Sequence, residues 1–139
     1  MIFKSNPYHE VRIYIGSREG YEGPLLTRDD LRNHIGKFQA ESGENTNPVR
    51  LTETAYIFKD YEEYGWEIAT IQYPRFPKPV QAINRFALDL AESLLNRFKQ
   101  NRISVIFPDE IIMLEADNAQ QGRRTDATNK ESRGPITVS

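Results

Sequence analysis

Apolar positions recur along this chain at two different periods, and the switches between them divide it into elements. The longest helical pattern covers 80–100. There Val80, Ile83, Ala87, Leu90, Ala91, Leu94 and Phe98 fall at three- and four-residue steps, which places them on one face of a helix. Phe86, Leu88 and Leu95 widen that face, and Asn84, Arg85, Asp89, Glu92, Asn96 and Lys99 fill much of the rest. Pro79 stops the helix from extending backwards. A shorter helix is predicted over 28–41. Thr27 is a good N-cap, Asp30 stands three residues later, and Leu31, Ile35 and Phe38 follow at i, i+4 and i+7.

The other segments alternate with a period of two. Val11, Ile13 and Ile15 point one way and Arg12 and Tyr14 the other, which predicts a strand over 11–16. In 49–59, Val49, Leu51, Ala55 and Ile57 share one face with Glu53, while Thr52, Thr54, Tyr56 and Phe58 share the other. The segment 60–65, DYEEYG, is predicted as a turn in which Gly65 supplies a positive φ. A returning strand follows over 66–73. Its parity is mixed, with Trp66 and Ile68 against Ala69, Ile71 and Tyr73, as burial on both faces or a bulge would produce. PRFPKP makes a stiff crossover into the long helix. A strand over 103–107 then turns at Pro108 and Asp109 and returns over 110–115.

The order is β-α-β-β-α-β with an extra strand. That predicts an α+β, ferredoxin-like domain: an antiparallel sheet with two helices on one face. Residues 1–116 form this single domain. From 117 to 139 apolar content falls and Gln, Asn, Thr, Gly and Arg dominate, so the tail is expected to be disordered unless a partner orders it.

Composition narrows the chemistry. The 139 residues are 38% hydrophobic and 27% charged, which suits one folded, soluble domain with one core. There is no cysteine, so disulfides, thiolate metal sites and a cysteine nucleophile are excluded. No apolar stretch resembles a signal peptide or approaches the roughly 18 residues of a membrane span. The expected setting is the cytoplasm, with no membrane partner. The net charge is −2, which argues against nucleic acid as a partner, since its binders usually carry a basic excess.

Two features are candidates for function. The first is the glycine-rich loop 16–23, which follows a strand and precedes a helix. Gly16, Ser17, Gly20 and Gly23 could cradle an anion with backbone N–H groups, Arg18 could add charge, and Tyr21 could stack on a base. Its spacing, G-x-x-x-G-x-x-G, is neither the dinucleotide fingerprint nor a Walker A loop. The second is the sheet face turned away from the helices. Arg12, Tyr14, Thr54, Tyr56 and Phe58 give it an aromatic and β-branched surface, and such patches mark interfaces.

Nothing else stands out. Asp60, Glu62 and Glu63 lack the alternating oxygen ligands of a calcium loop, and His9 and His34 have no second ligand at helical spacing. No metal and no cofactor is expected. Ser17, Ser93 and Ser104 have no nucleophile setting. The reading favoured is a small non-catalytic interaction or assembly module. It would act through its open sheet face, as a homo-oligomer or docked on a larger protein. One alternative is a ligand-binding regulator or small enzyme recognising an anionic ligand, such as a nucleotide, at loop 16–23. Another is binding of single-stranded nucleic acid.

Overall fold

Pro79 stands at the N-cap of α2 (Val80–Arg97), and that helix carries most of the core. Its buried stripe comprises Ile83, Phe86, Ala87, Leu90, Ala91, Leu94 and Leu95, and Phe98 continues it just past the last turn. The stripe packs on β1 (Glu10–Gly16), whose Val11, Ile13 and Ile15 are fully buried, and on β4 (Arg102–Ile106) through Ile103 and Val105. Helix α1 (Arg28–Ser42) joins the same layer through Leu31 and Ile35. Its expected cap is complete: the Asp30 N–H donates to Thr27 Oγ1 at 3.0 Å and the Thr27 N–H to Asp30 Oδ2 at 3.3 Å. These features belong to a computed structural model, which describes residues 1–117. The expectation for the tail therefore lies, beyond Asp117, outside the described residues.

The remaining strands are β2 (Val49–Phe58), β3 (Tyr61–Ile71) and β5 (Ile111–Glu115). The sheet order is β2-β3-β1-β4-β5, with every neighbouring pair antiparallel. This is the ferredoxin-like arrangement, with β5 added outside β4. Both helices cover one face.

Three local expectations need correction. The turn over 60–65 shrinks to Lys59 and Asp60, because β3 begins at Tyr61. Lys59, at φ 59°, takes the positive φ assigned to Gly65. Gly65 instead stands inside β3, opposite both Gly16 and Thr54. A Cβ there would collide with the Ile15 carbonyl oxygen and with the Tyr14 ring, so close approach explains this glycine. Ile57 does not face a helix and is 70% exposed, because the β2–β3 hairpin outruns the helical layer. The mixed parity of 66–73 is not a bulge, since the register with β1 and β2 is continuous. Trp66, Ile68 and Thr70 face the helices, and Ala69 is buried on the opposite face between Arg12 and Arg50.

Candidate functional site

Burial of Val11, Ile13 and Ile15 forces Glu10, Arg12 and Tyr14 onto the open face of the central strand. Register then determines their neighbours. Glu67 lies opposite Tyr14 on one side and Thr52 on the other. Ser104 lies opposite Tyr14 across β4, and Met113 lies opposite Ser104 on β5. One row of side chains, Thr52, Glu67, Tyr14, Ser104 and Met113, thus crosses the whole sheet at about 4.8 Å per step.

Tyr14 leans out of this row. Its ring lies against Gly65, meets Tyr56 edge-on at 4.6 Å between centroids, and its hydroxyl donates to the Tyr64 carbonyl at 3.4 Å. Burial, followed by the nearby Glu63, Tyr56 and Tyr61, pushes the phenol up to about 12. The hydroxyl therefore stays protonated and can donate. With its neighbour leaning away, Glu67 faces the sheet surface with its side chain 22% exposed and Arg12 Nη1 4.0 Å from its carboxylate. Glu10 is already engaged: Tyr8 donates to it at 2.6 Å and Arg50 at 2.9 Å, and these bonds hold its carboxyl below the usual range.

The glycine loop is braced rather than open. The Gly16 N–H donates to Gln100 Oε1 at 3.2 Å, and Gln100 Nε2 donates to the carbonyls of Arg18 at 2.8 Å and Phe98 at 3.1 Å. The N–H groups of Glu19, Gly20 and Gly23 donate to Pro24, Phe98 and Glu19. Arg18 Nη1 donates to the Gly23 carbonyl at 3.0 Å. Of the loop's three glycines only Gly20, at φ 63°, uses the left-handed region. Its donors serve the fold, and Arg18 closes the loop on itself. Tyr21 alone reaches toward the sheet: Arg102, two residues from Ser104 on the same face, donates to its hydroxyl at 3.3 Å and to Glu115 at 2.7 Å. The two candidate regions therefore adjoin at Arg102.

Among the interface residues read from sequence, Arg12, Tyr14, Thr54 and Tyr56 share one patch of the open face. Phe58 sits at the hairpin tip, 70% exposed, with Lys59 Nζ 5.3 Å from its ring centre. Sequence reasoning missed Glu67 and Arg102. The available signal for Glu67 was a carboxylate between Trp66 and Ile68 in the apolar half of its strand. The two histidines have structural partners: His9 Nε2 meets Asn84 Oδ1 at 2.7 Å, and His34 Nε2 meets Ser93 Oγ at 2.9 Å.

No family model matches this chain, and no curated protein matches it. Solved structures do. A phage SAM lyase in complex with S-methyl-5'-thioadenosine superposes with a TM-score of 0.63 at 15% identity, covering 86% of this chain and 98% of its own. A phage SAM lyase in its apo state gives 0.55 at 14% identity, covering 81% and 92%. Both likenesses concern the fold. They correct the expectation of a non-catalytic assembly module, because both of these matched chains are those of an enzyme.

Proposed function

We propose that this chain binds S-adenosylmethionine on its open sheet face and cleaves it to S-methyl-5'-thioadenosine. The observation that carries the reading is the carboxylate of Glu67 facing the open sheet beside Arg12, with Tyr14 opposite it in register and the Tyr14–Tyr56 ring pair further along the same face. A sulfonium is a fixed cation, and carboxylates and aromatic rings are the side chains that attract one. The fold likeness to SAM lyases supports the same substrate.

A lyase adds no water. When the bond between sulfur and Cγ breaks, its electron pair leaves with sulfur, and the cation becomes a neutral thioether. The four-carbon fragment must then satisfy Cγ from within. Its own carboxylate oxygen does so by forming the new C–O bond of a lactone, with no proton gained or lost. This route asks no side chain to act as a base. It asks the protein to hold the chain folded and to keep water away, which are effects of orientation and desolvation. Positive charge on sulfur falls on the way to the transition state and is gone in the product. Glu67 therefore acts mainly in binding and placing the sulfonium, and the Tyr14–Tyr56 ring pair offers an aromatic surface further along the same face for the rest of the ligand.

Incubation of the purified protein with S-adenosylmethionine, followed by chromatography, tests the reading. Release of S-methyl-5'-thioadenosine above the spontaneous rate is expected. Glu67→Gln should raise KM by roughly tenfold or more, the worth of one charge-assisted contact. A folded protein that releases none of the thioether would overturn the proposal.

A further inference from the structure

Three arginines stand on the open face: Arg12, Arg50 and Arg102. Two are committed. Arg50 holds Glu10 at 2.9 Å, and Arg102 holds Glu115 at 2.7 Å while also donating to Tyr21. Arg12 differs. Its ion-pair contact among the described residues is with Glu67, at a long 4.0 Å, and its side chain is 45% exposed. Glu10, two residues along the same face, is occupied by Tyr8 and Arg50. Most of the five guanidinium donors of Arg12 are therefore available, on the central strand and beside the proposed sulfonium site.

We propose that Arg12 determines specificity for the amino-acid end of the substrate by binding its α-carboxylate. The inference rests on the preceding reading of the site. S-adenosylmethionine carries a cation and an anion separated by three carbons. The free protein carries an anion and a cation 4.0 Å apart, Glu67 and Arg12. The ligand exchanges one long internal pair for two pairs of its own, Glu67 with sulfonium and Arg12 with carboxylate. The sulfonium and the carboxylate that the ligand brings onto the sheet each meet an opposite charge, which limits their desolvation cost. Arg12 can hold one carboxylate oxygen while the other stays free to close on Cγ. S-methyl-5'-thioadenosine has neither charge, so the product loses both contacts.

The test compares Arg12→Gln with the unaltered protein, using three probes: S-adenosylmethionine, its decarboxylated analogue and S-methyl-5'-thioadenosine. The expected result is a rise in KM and Kd for S-adenosylmethionine of roughly tenfold to a hundredfold. Affinity for the two probes without a carboxylate should change by less than about twofold. Arg12→Lys keeps the charge but not the fork, so it should fall between the two. Equal losses for all three probes, or no loss for any, overturn the role of Arg12 while leaving the substrate assignment intact. Failure of the unaltered protein to bind either S-adenosylmethionine or its thioether product overturns the substrate reading itself, and this inference with it. Should Arg12→Gln fail to fold, the Arg12→Lys ratio between S-adenosylmethionine and its decarboxylated analogue decides the matter.

Discussion

His34 shows how a single residue can report on the fold from outside the site. Its Nε2–H donates to Ser93 Oγ, because the Ser93 hydroxyl is itself spent on the Leu90 carbonyl at 2.8 Å. The ring stands edge-on to Phe98 at 5.6 Å. Burial lowers its pKa, Arg97 and Lys37 lower it further, and Glu41 opposes them. The folded state thus prefers the neutral ring. Between the lowered folded pKa and the ordinary value of 6.5, the unfolded chain binds more protons. The stabilisation is complete above that ordinary value and is lost as pH falls through the folded one. His34→Gln should therefore flatten the decline in Tm on acidification from about pH 7.5 to about pH 5. Parallel Tm curves for the two proteins would exclude His34 as a source of acid sensitivity. Glu67 illustrates the opposite difficulty, a residue of the proposed site hidden by local pattern. Trp66 and Ile68 on one parity and Ala69 and Ile71 on the other made both faces of β3 look apolar. Only pairing with Arg12 and Arg50 shows that Ala69 is covered on the open side and that Glu67 lies beside it.

At the scale of elements, the parts read correctly were those decided by neighbours in sequence. The stripe of α2, the Thr27 cap and the alternation in β1 are all local patterns, and each lies where its period placed it. The hairpin between β2 and β3 was legible only in part. Asp60–Gly65 has the composition of a turn, but pairing of Ala55 with Tyr64 and of Ile57 with Glu62 draws most of it into strand. Exposure of Ile57 depends on where the helices end, which no period in β2 records. Loop 16–23 is a further instance, because its brace comes from far along the chain. Gln100 is 6% exposed and satisfies the Gly16 N–H and two carbonyls at once. Gln100→Ala would leave the Gly16 N–H and the Arg18 carbonyl without this partner and a cavity beside them, while the Phe98 carbonyl keeps the Gly20 N–H. Such a loss costs about 1–3 kcal/mol, a fall in Tm of several degrees for a domain of this size. Thermal unfolding followed by circular dichroism measures it directly. An unchanged Tm would mean that the loop does not depend on this side chain.

The whole molecule enters because the proposed site exists only in the folded sheet. Arg12 comes from β1, Glu67 from β3 and Tyr56 from β2, so an unfolded chain offers the ligand no comparable set of groups. A ligand that binds only the native state stabilises it by mass action, by about 2.7 kcal/mol at a hundred times its Kd. For a domain of this size that corresponds to a rise in Tm of roughly 10 °C. S-adenosylmethionine should produce such a shift, and S-methyl-5'-thioadenosine a smaller one at equal concentration, because the thioether meets neither Glu67 nor Arg12 with charge. The difference between the two ligands should shrink at about 0.5 M salt, where exposed charges are screened over only a few ångströms. It should also shrink in Glu67→Gln, measured by the same thermal scan. Equal shifts for both ligands at low salt would place the binding energy in the adenosine half. They would remove the Arg12–Glu67 pair from recognition while leaving the open face as the site. An effect of salt on the sulfonium ligand alone is the signature expected when the sheet, and no single residue of it, brings the two charges together.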